Sequence, residues 1–305
     1  MQAAPGGPSE GDQAVMRIVY HLGAHCTDED RLLRCLLRNR AMLADHHVVV
    51  PGPARYRKLL RDTAVQLKGE RASVETQALV LEQIMDEDQA DRLILSWDSF
   101  LSFPQWVLRP GLYPLAGERI RAFAQIFPEI EAEFHLGIRN PATFLPALFE
   151  KQKVKSYEDF LSGIDPMFLR WSDVVAQIRS DNPDVLLTIW CDEDTPLVWP
   201  EVLSAVTGLA DANTLEGADE LLAAIMAPEG LTRMRDYLAK NPPLSTMHHK
   251  KIVAAFLDKF ALPDKIEVEV ALPGWSAELV AEMSAAYDAD VARIAQMDGI
   301  DFITP

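Results

Sequence analysis

Apolar residues recur along the first two hundred positions in two alternating rhythms. Short, nearly uninterrupted apolar runs fall at residues 17–22, 47–50, 92–97, 132–138 and 185–190. Each is rich in β-branched or other large apolar side chains, as strands covered on both faces require. Between them apolar residues return at three- and four-residue spacing, predicting helices over 31–45, 54–69, 74–89, 116–127, 141–151, 157–163 and 168–182. In the first of these, Leu32, Leu36 and Leu43 share a side, with Leu33 and Leu37 beside them.

Strand and helix alternating in this way predict an α/β fold with a three-layer, largely parallel five-stranded sheet. In such sheets ligands bind beyond the carboxyl ends of the strands. The loops after Leu22, Trp97, Ile138 and Trp190 are therefore the places for chemistry. From about residue 196 the pattern turns helical, with expected helices at 199–207, 218–226, 229–241, 246–260 and 276–298. Residues 266–270 alternate cleanly and predict an edge strand or an extended arm. Residues 1–14, rich in glycine, proline and serine, read as a flexible tail ahead of one α/β domain over 15–305 with a mainly helical C-terminal part.

Charge narrows the partners. The 305 residues carry 46 acids against 29 Lys and Arg, a net charge of −17. Nucleic acid and anionic membrane surfaces both demand a basic face, so neither is an expected partner. Cys26, Cys35 and Cys191 are odd in number and lack any Cys-x-x-Cys spacing, which predicts neither a disulfide framework nor a zinc site. The N-terminal stretch has no apolar core, and no apolar run nears the roughly 18–20 residues that span a bilayer. A cytoplasmic protein is the expectation.

Four segments carry candidate chemistry. The first is the loop 21–30, where strand, tight turn and helix start make the geometry that cradles anions. It holds one glycine, Gly23, and three consecutive acids, Asp28, Glu29 and Asp30. Thr27 and Asp30 match a capping-box variant, and the acids read as occupants of the first helical turn, worth about 0.3–1 kcal/mol each against the macrodipole. The alternative is an acidic cation site. The second is Arg139-Asn140-Pro141, where Asn140 suits an N-cap, Pro141 the first helical position, and Arg139 either an anion or a local carboxylate such as Glu131 or Glu133. The third is Asp98, a general base for an acceptor hydroxyl or a turn-former. The fourth is the acidic loop Asp192-Glu193-Asp194, which with Asp28, Glu29, Asp30 and Asp98 has the oxygen ligands a hard cation needs. His135 reads as a buried, hydrogen-bonded residue.

His21, Gly23, His25 and Thr27, followed by a Leu-rich helix and the turn Pro51-Gly52-Pro53-Ala54-Arg55-Tyr56, resemble the N-terminal portion of bacterial sulfotransferases. That family shows a strand and then His-x-Gly-x-His-Lys-Thr-Gly-Thr-Thr. The resemblance implies a P-loop-like fold and a transferase that takes a sulfonate from PAPS to a small-molecule or protein acceptor. It puts Gly23, Ala24, His25, Cys26 and Thr27 at the donor, Arg139 on its 3′-phosphate and Asp98 in the place of the base. The family's loop lysine falls on Cys26, its glycine on Asp28 and its two hydroxyl residues on Glu29 and Asp30. The serine expected eight positions beyond Arg139 is Ala147. These departures imply a donor-deficient member acting as a binding or regulatory pseudoenzyme. Two alternatives are a working sulfotransferase and a metal-dependent enzyme built on the acidic loops.

Overall fold

The short apolar runs form one parallel sheet. A computed structural model describes residues 16–87, 89–152, 156–266, 272 and 274–305. Its strands are β1 (Arg17–His21), β2 (Val48–Val49), β3 (Arg92–Ser96), β4 (Glu131–Ile138), β5 (Leu186–Cys191) and β6 (Ile300–Ile303). Their order is β2-β3-β1-β4-β5-β6, and every pairing is parallel. The expected five strands become six. β6 is four residues long at the sheet edge, and with Asp301 exposed it offers too short an alternation to read as a strand.

The helices are α1 (Arg31–Arg38), α2 (Arg40–Asp45), α3 (Pro53–Leu67), α4 (Val74–Ile84), α5 (Ala116–Ala124), α6 (Pro141–Lys151) and α7 (Tyr157–Leu161). They continue with α8 (Trp171–Asp181), α9 (Thr195–Thr207), α10 (Glu220–Ile225), α11 (Pro228–Lys240), α12 (Thr246–Phe260), α13 (Pro263–Ile266) and α14 (Ala277–Ile294). The single helix expected over 31–45 is two, broken at Asn39. That side chain donates to Cys35 O (2.8 Å) and Glu216 O (2.9 Å) and accepts from Glu216 N (2.8 Å). An amide that bonds backbone this way competes with the helical ladder. α9 starts a turn earlier than expected, with Pro196 near its N-terminus, where a missing N–H costs nothing. The alternating stretch at 266–270 lies outside the described residues beyond Ile266, as does the tail 1–14.

Alternate strand residues feed separate apolar clusters, because successive side chains point to opposite faces of a sheet. Ile18, Tyr20, Leu93, Leu95, Phe134 and Leu136 pack with residues of α3, α5, α6, α8 and α14. Val19, Ile94 and Trp190 pack instead with Leu32, Leu36 and Leu43 from α1 and α2 and with Val198 and Val202 from α9. A third, smaller cluster joins α10, α11 and α12 around Met226, Met234 and Val253. No helix among the described residues is long and apolar enough to cross a membrane.

This order fixes where the chain opens. The connection leaving β1 runs toward β2, while the connection leaving its neighbour β4 runs the other way, toward β5. Loops that part in this manner leave a crevice between them. The two strands stay joined to its floor: Leu22 N donates to His135 O (2.9 Å), Ala24 N to Gly137 O (2.8 Å) and Gly137 N to Gly23 O (2.6 Å). The neighbouring end of β3 is held by α3, where the Tyr56 hydroxyl donates to Ser96 O (2.7 Å) and accepts from Ser96 N (3.0 Å). Both partners are buried, so Tyr56→Phe leaves a carbonyl and an amide short of a bond each. Urea unfolding is expected to show a loss of about 1–3 kcal/mol. An unchanged midpoint would mean that water reaches the end of β3.

Candidate functional site

The loop from Leu22 to Asp30 is short and largely buried, so its geometry is set by which backbone groups find partners. Gly23 makes the first bend at φ +88°, and a Cβ there would lie 3.2 Å from Asp98 Cβ, so the strand end and the Asp98 turn approach as closely as they do only over glycine. His25 N donates to the Tyr113 hydroxyl (3.0 Å), and its ring Nδ1 shares a hydrogen bond with the same oxygen (2.8 Å). Thr27 Oγ1 donates back to Ala24 O (2.8 Å), so Thr27 closes the loop instead of capping the helix. Cys26, Glu29 and Asp30 all hold positive φ, each a left-handed turn that only specific contacts sustain in residues with a side chain.

The three acids precede α1 and do not occupy its first turn, which holds none. Asp28 takes the capping role expected of Thr27: its Oδ1 accepts from Leu32 N (2.9 Å) and its carbonyl from Arg31 N (3.0 Å). Glu29 pairs with Lys151 Nζ (2.7 Å), and its carbonyl accepts from Arg34 (2.7 Å). Asp30 pairs with Arg57 Nη2 (2.7 Å), whose guanidinium also reaches Ser96 O (3.0 Å).

Arg139 does come to this loop, 113 residues away in sequence. One guanidinium nitrogen donates to Cys26 O and Nε donates to Thr143 Oγ1 (3.0 Å), while Trp171 Nε1 holds the Arg139 carbonyl (2.8 Å). Glu131 and Glu133 are taken by Arg17 and Arg92 and not by Arg139. Asn140 caps α6 as expected, with Oδ1 accepting from Ala142 N (2.9 Å). Ala147 packs against the apolar core.

A cleft of about 160 Å³ remains, lined by His21, Cys26, Arg57, Ser96, Asp98 and Lys151 along with the loop acids. Asp98 opens a short turn and accepts from the Ser99 hydroxyl (3.1 Å), so it is both a turn residue and a carboxylate at the cleft wall. His21 Nδ1 lies 2.8 Å from Ser96 Oγ. Burial, with the neighbouring His135, pushes the His21 imidazole down to about 3, so it stays neutral and is a weak base. Burial likewise lowers His25 and raises the Cys26 thiol to about 11, which keeps it from being a thiolate nucleophile. Lys151 is held charged: burial works against its ammonium, but the hydrogen bond to Glu29 together with the nearby Cys26, Glu29 and Asp98 outweighs it. His135 is buried as expected but without the hydrogen bond, its Nε2 lying 3.7 Å from Glu133 Oε2.

The acidic loop after β5 is placed differently from its expected role. Glu193 accepts from Asn140 N (2.7 Å) and from the Tyr287 hydroxyl (3.1 Å), tying the end of β4 to α14. Among the described residues no three His, Cys, Asp or Glu side chains gather as metal ligands, so the acids of the two loops do not converge on a cation. Arg57, Lys151 and Tyr113 were not legible as site residues. Arg57 had a weak cue in its place just after a Pro-Gly-Pro helix start; Lys151 and Tyr113 had none.

No protein-family model matches the chain, and no curated protein matches it.

Burial lifts the Asp192 carboxyl to about 7, with Arg139 opposing the rise and Glu193 adding to it. An unfolded aspartate titrates near 3.9. Between about pH 4 and pH 7 the native state therefore holds the extra proton, and stability falls as pH rises through that window. Asp192→Asn removes the buried charge and is expected to stabilise by about 1 kcal/mol at pH 5 and by about 3–4 kcal/mol at pH 8. Denaturant unfolding at the two pH values reads both numbers, and an equal effect at each would place the cause in packing.

Proposed function

We propose that the chain is a sulfotransferase-like protein whose donor site is closed by its own side chains. It would act by binding a small-molecule or protein partner in place of transferring a sulfonate. One observation carries this reading: the Asp28 carboxylate occupies the N-terminus of α1, accepting from Leu32 N at 2.9 Å. That is where the terminal phosphate of a nucleotide would be expected to sit in a P-loop-like fold. The cations that border the loop are also engaged, Lys151 with Glu29, Arg57 with Asp30, and Arg139 with Cys26 O and Thr143.

An incoming phosphate would meet a carboxylate at close range. Two like charges about 4 Å apart cost roughly 4 kcal/mol at an effective dielectric of 20, near a thousandfold in affinity. The strand order and the separate apolar clusters on alternate strand positions support the three-layer, P-loop-like part of the proposal. Three free, separated cysteines support a reducing, cytoplasmic setting.

Lys151 favours a second reading, an active transferase. Its ammonium lines the same cleft as Asp98, so it offers a cation where Cys26 does not, and Asp98 would be the base toward an acceptor.

Adenosine 3′,5′-bisphosphate, the desulfonated donor, separates the two. A ligand at a hundredfold its dissociation constant stabilises by about 2.7 kcal/mol. The full chain is expected to show no thermal shift at about millimolar nucleotide. A clear shift that Arg139→Ala or Lys151→Ala abolishes would overturn the closed-site reading and establish the second.

A further inference from the structure

A second cavity opens beside the Asp98 turn, in the segment that leads from β3 to α5. It measures about 270 Å³, at the small end of ligand sites, and its walls are Phe103, Trp106, Pro114 and Leu115. Two guanidiniums complete it, Arg109 and Arg119. Arg109 lies over the Trp106 ring, 5.7 Å from its centre, and Trp106 itself is 52% exposed. Arg119 lies 5.4 Å from the centre of the Phe103 ring. It spends Nε on Phe100 O (2.8 Å) and one Nη2 hydrogen on Ser99 O (2.7 Å), which leaves its Nη1 amino group unbonded among the described residues.

Neither guanidinium is neutralised by an acid among the described residues, although acids are in excess. Acids outnumber Lys and Arg 46 to 29. Eleven other arginines, Arg17 and Arg92 among them, have a carboxylate within ion-pair distance. Arg109 and Arg119 are two of the eight that have none among the described residues, and these two border one cavity. An aromatic ring lies within 6 Å of each guanidinium without neutralising it, and the planar guanidinium fork is the shape that grips a carboxylate through two parallel N–H bonds. The half-buried position of Arg119 strips water from its charge, and burial lowers its affinity for its own proton; both make a bound anion more favourable. Apolar and aromatic walls of this size suit one or two fused rings.

We infer that the Phe103–Arg119 cavity binds a small planar aromatic carboxylate, its rings against Trp106 and Phe103 and its carboxylate between Arg109 and Arg119. The site stands on its own residues and does not depend on whether the neighbouring loop accepts a nucleotide. Because Arg119 also holds the carbonyls of Ser99 and Phe100, a ligand here touches the same side chain that fixes the turn after Asp98.

Calorimetric titration of the full chain with 1-naphthoate and with 1-naphthol, its neutral counterpart, tests this. Naphthoate is expected to bind with a dissociation constant in the micromolar to about millimolar range and naphthol at least about tenfold more weakly. Arg109→Gln touches only the exposed Trp106 contact, so the fold stands, and it is expected to weaken naphthoate about fivefold while leaving naphthol unchanged. Trp106→Ala is expected to weaken both ligands. Naphthol bound as tightly as naphthoate, naphthoate affinity indifferent to Arg109→Gln, or no heat from naphthoate at all would each overturn the inference.

Discussion

Residues 21–27 are buried without belonging to a helix, and only the first of them belongs to a strand, so their backbone cannot be satisfied by a regular ladder or by water. Every amide and carbonyl there needs a partner brought from elsewhere in the fold. β4 supplies the carbonyls of His135 and Gly137, the segment before α5 supplies the Tyr113 hydroxyl, and the start of α6 supplies the Arg139 guanidinium. The crevice at the centre of the sheet exists because β1 and β4 send their chains apart. The loop that fills it keeps its shape because three distant elements close on it. An unsatisfied buried amide costs on the order of 1–3 kcal/mol, so these contacts weigh as heavily as a buried leucine.

That constraint bears on the chemistry of the loop. A helix N-terminus at the end of a central strand attracts an anion whichever molecule provides it. Here the anion is Asp28, already attached to the chain and three residues before the start of α1. It needs no translational entropy to bind, whereas any soluble phosphate must lose that freedom on arrival. Glu29 and Asp30 extend the same logic outward by neutralising Lys151 and Arg57, so the cleft keeps its cations but shares them. Asp28 is lifted to about 6 by burial, with the Leu32 amide holding it down, so it remains charged at neutral pH and goes on repelling.

Much of this frame was legible in the chain. The five short apolar runs became β1 to β5 within a residue or two, because strands buried on both faces leave a nearly uninterrupted apolar mark. Asn140 and Pro141 announced the start of α6 by local chemistry alone, and both sit where that chemistry requires. What stayed hidden depends on long-range choice. Thr27 and Asp28 are both good caps, and which one faces the helix is decided by Ala24 O, which takes the threonine hydroxyl. Arg139 had nearby acids on the strand before it, but Arg17 from neighbouring β1 and Arg92 from β3 beyond it reach Glu131 and Glu133 and leave Arg139 for Cys26 O. Tyr113 and Lys151 meet the loop across 88 and 122 residues, and no spacing rule spans such distances.

The distribution of arginines therefore says more about this protein than its net charge does. With acids in such excess, most cations find a carboxylate, and beside the β1 loop Lys151 and Arg57 have done so while Arg139 is spent on Cys26 O and Thr143. Arg109 and Arg119, two of the arginines with no such partner among the described residues, lie where aromatic rings, not acids, form the surroundings. A ring face holds a guanidinium in place without neutralising it, whereas a carboxylate does both. The same residue type is consequently spent in one cavity and available in the other, although the two flank the same turn at Asp98. In this fold the capacity to bind an anion follows from what the cations rest on, and the aromatic cavity is where that capacity persists.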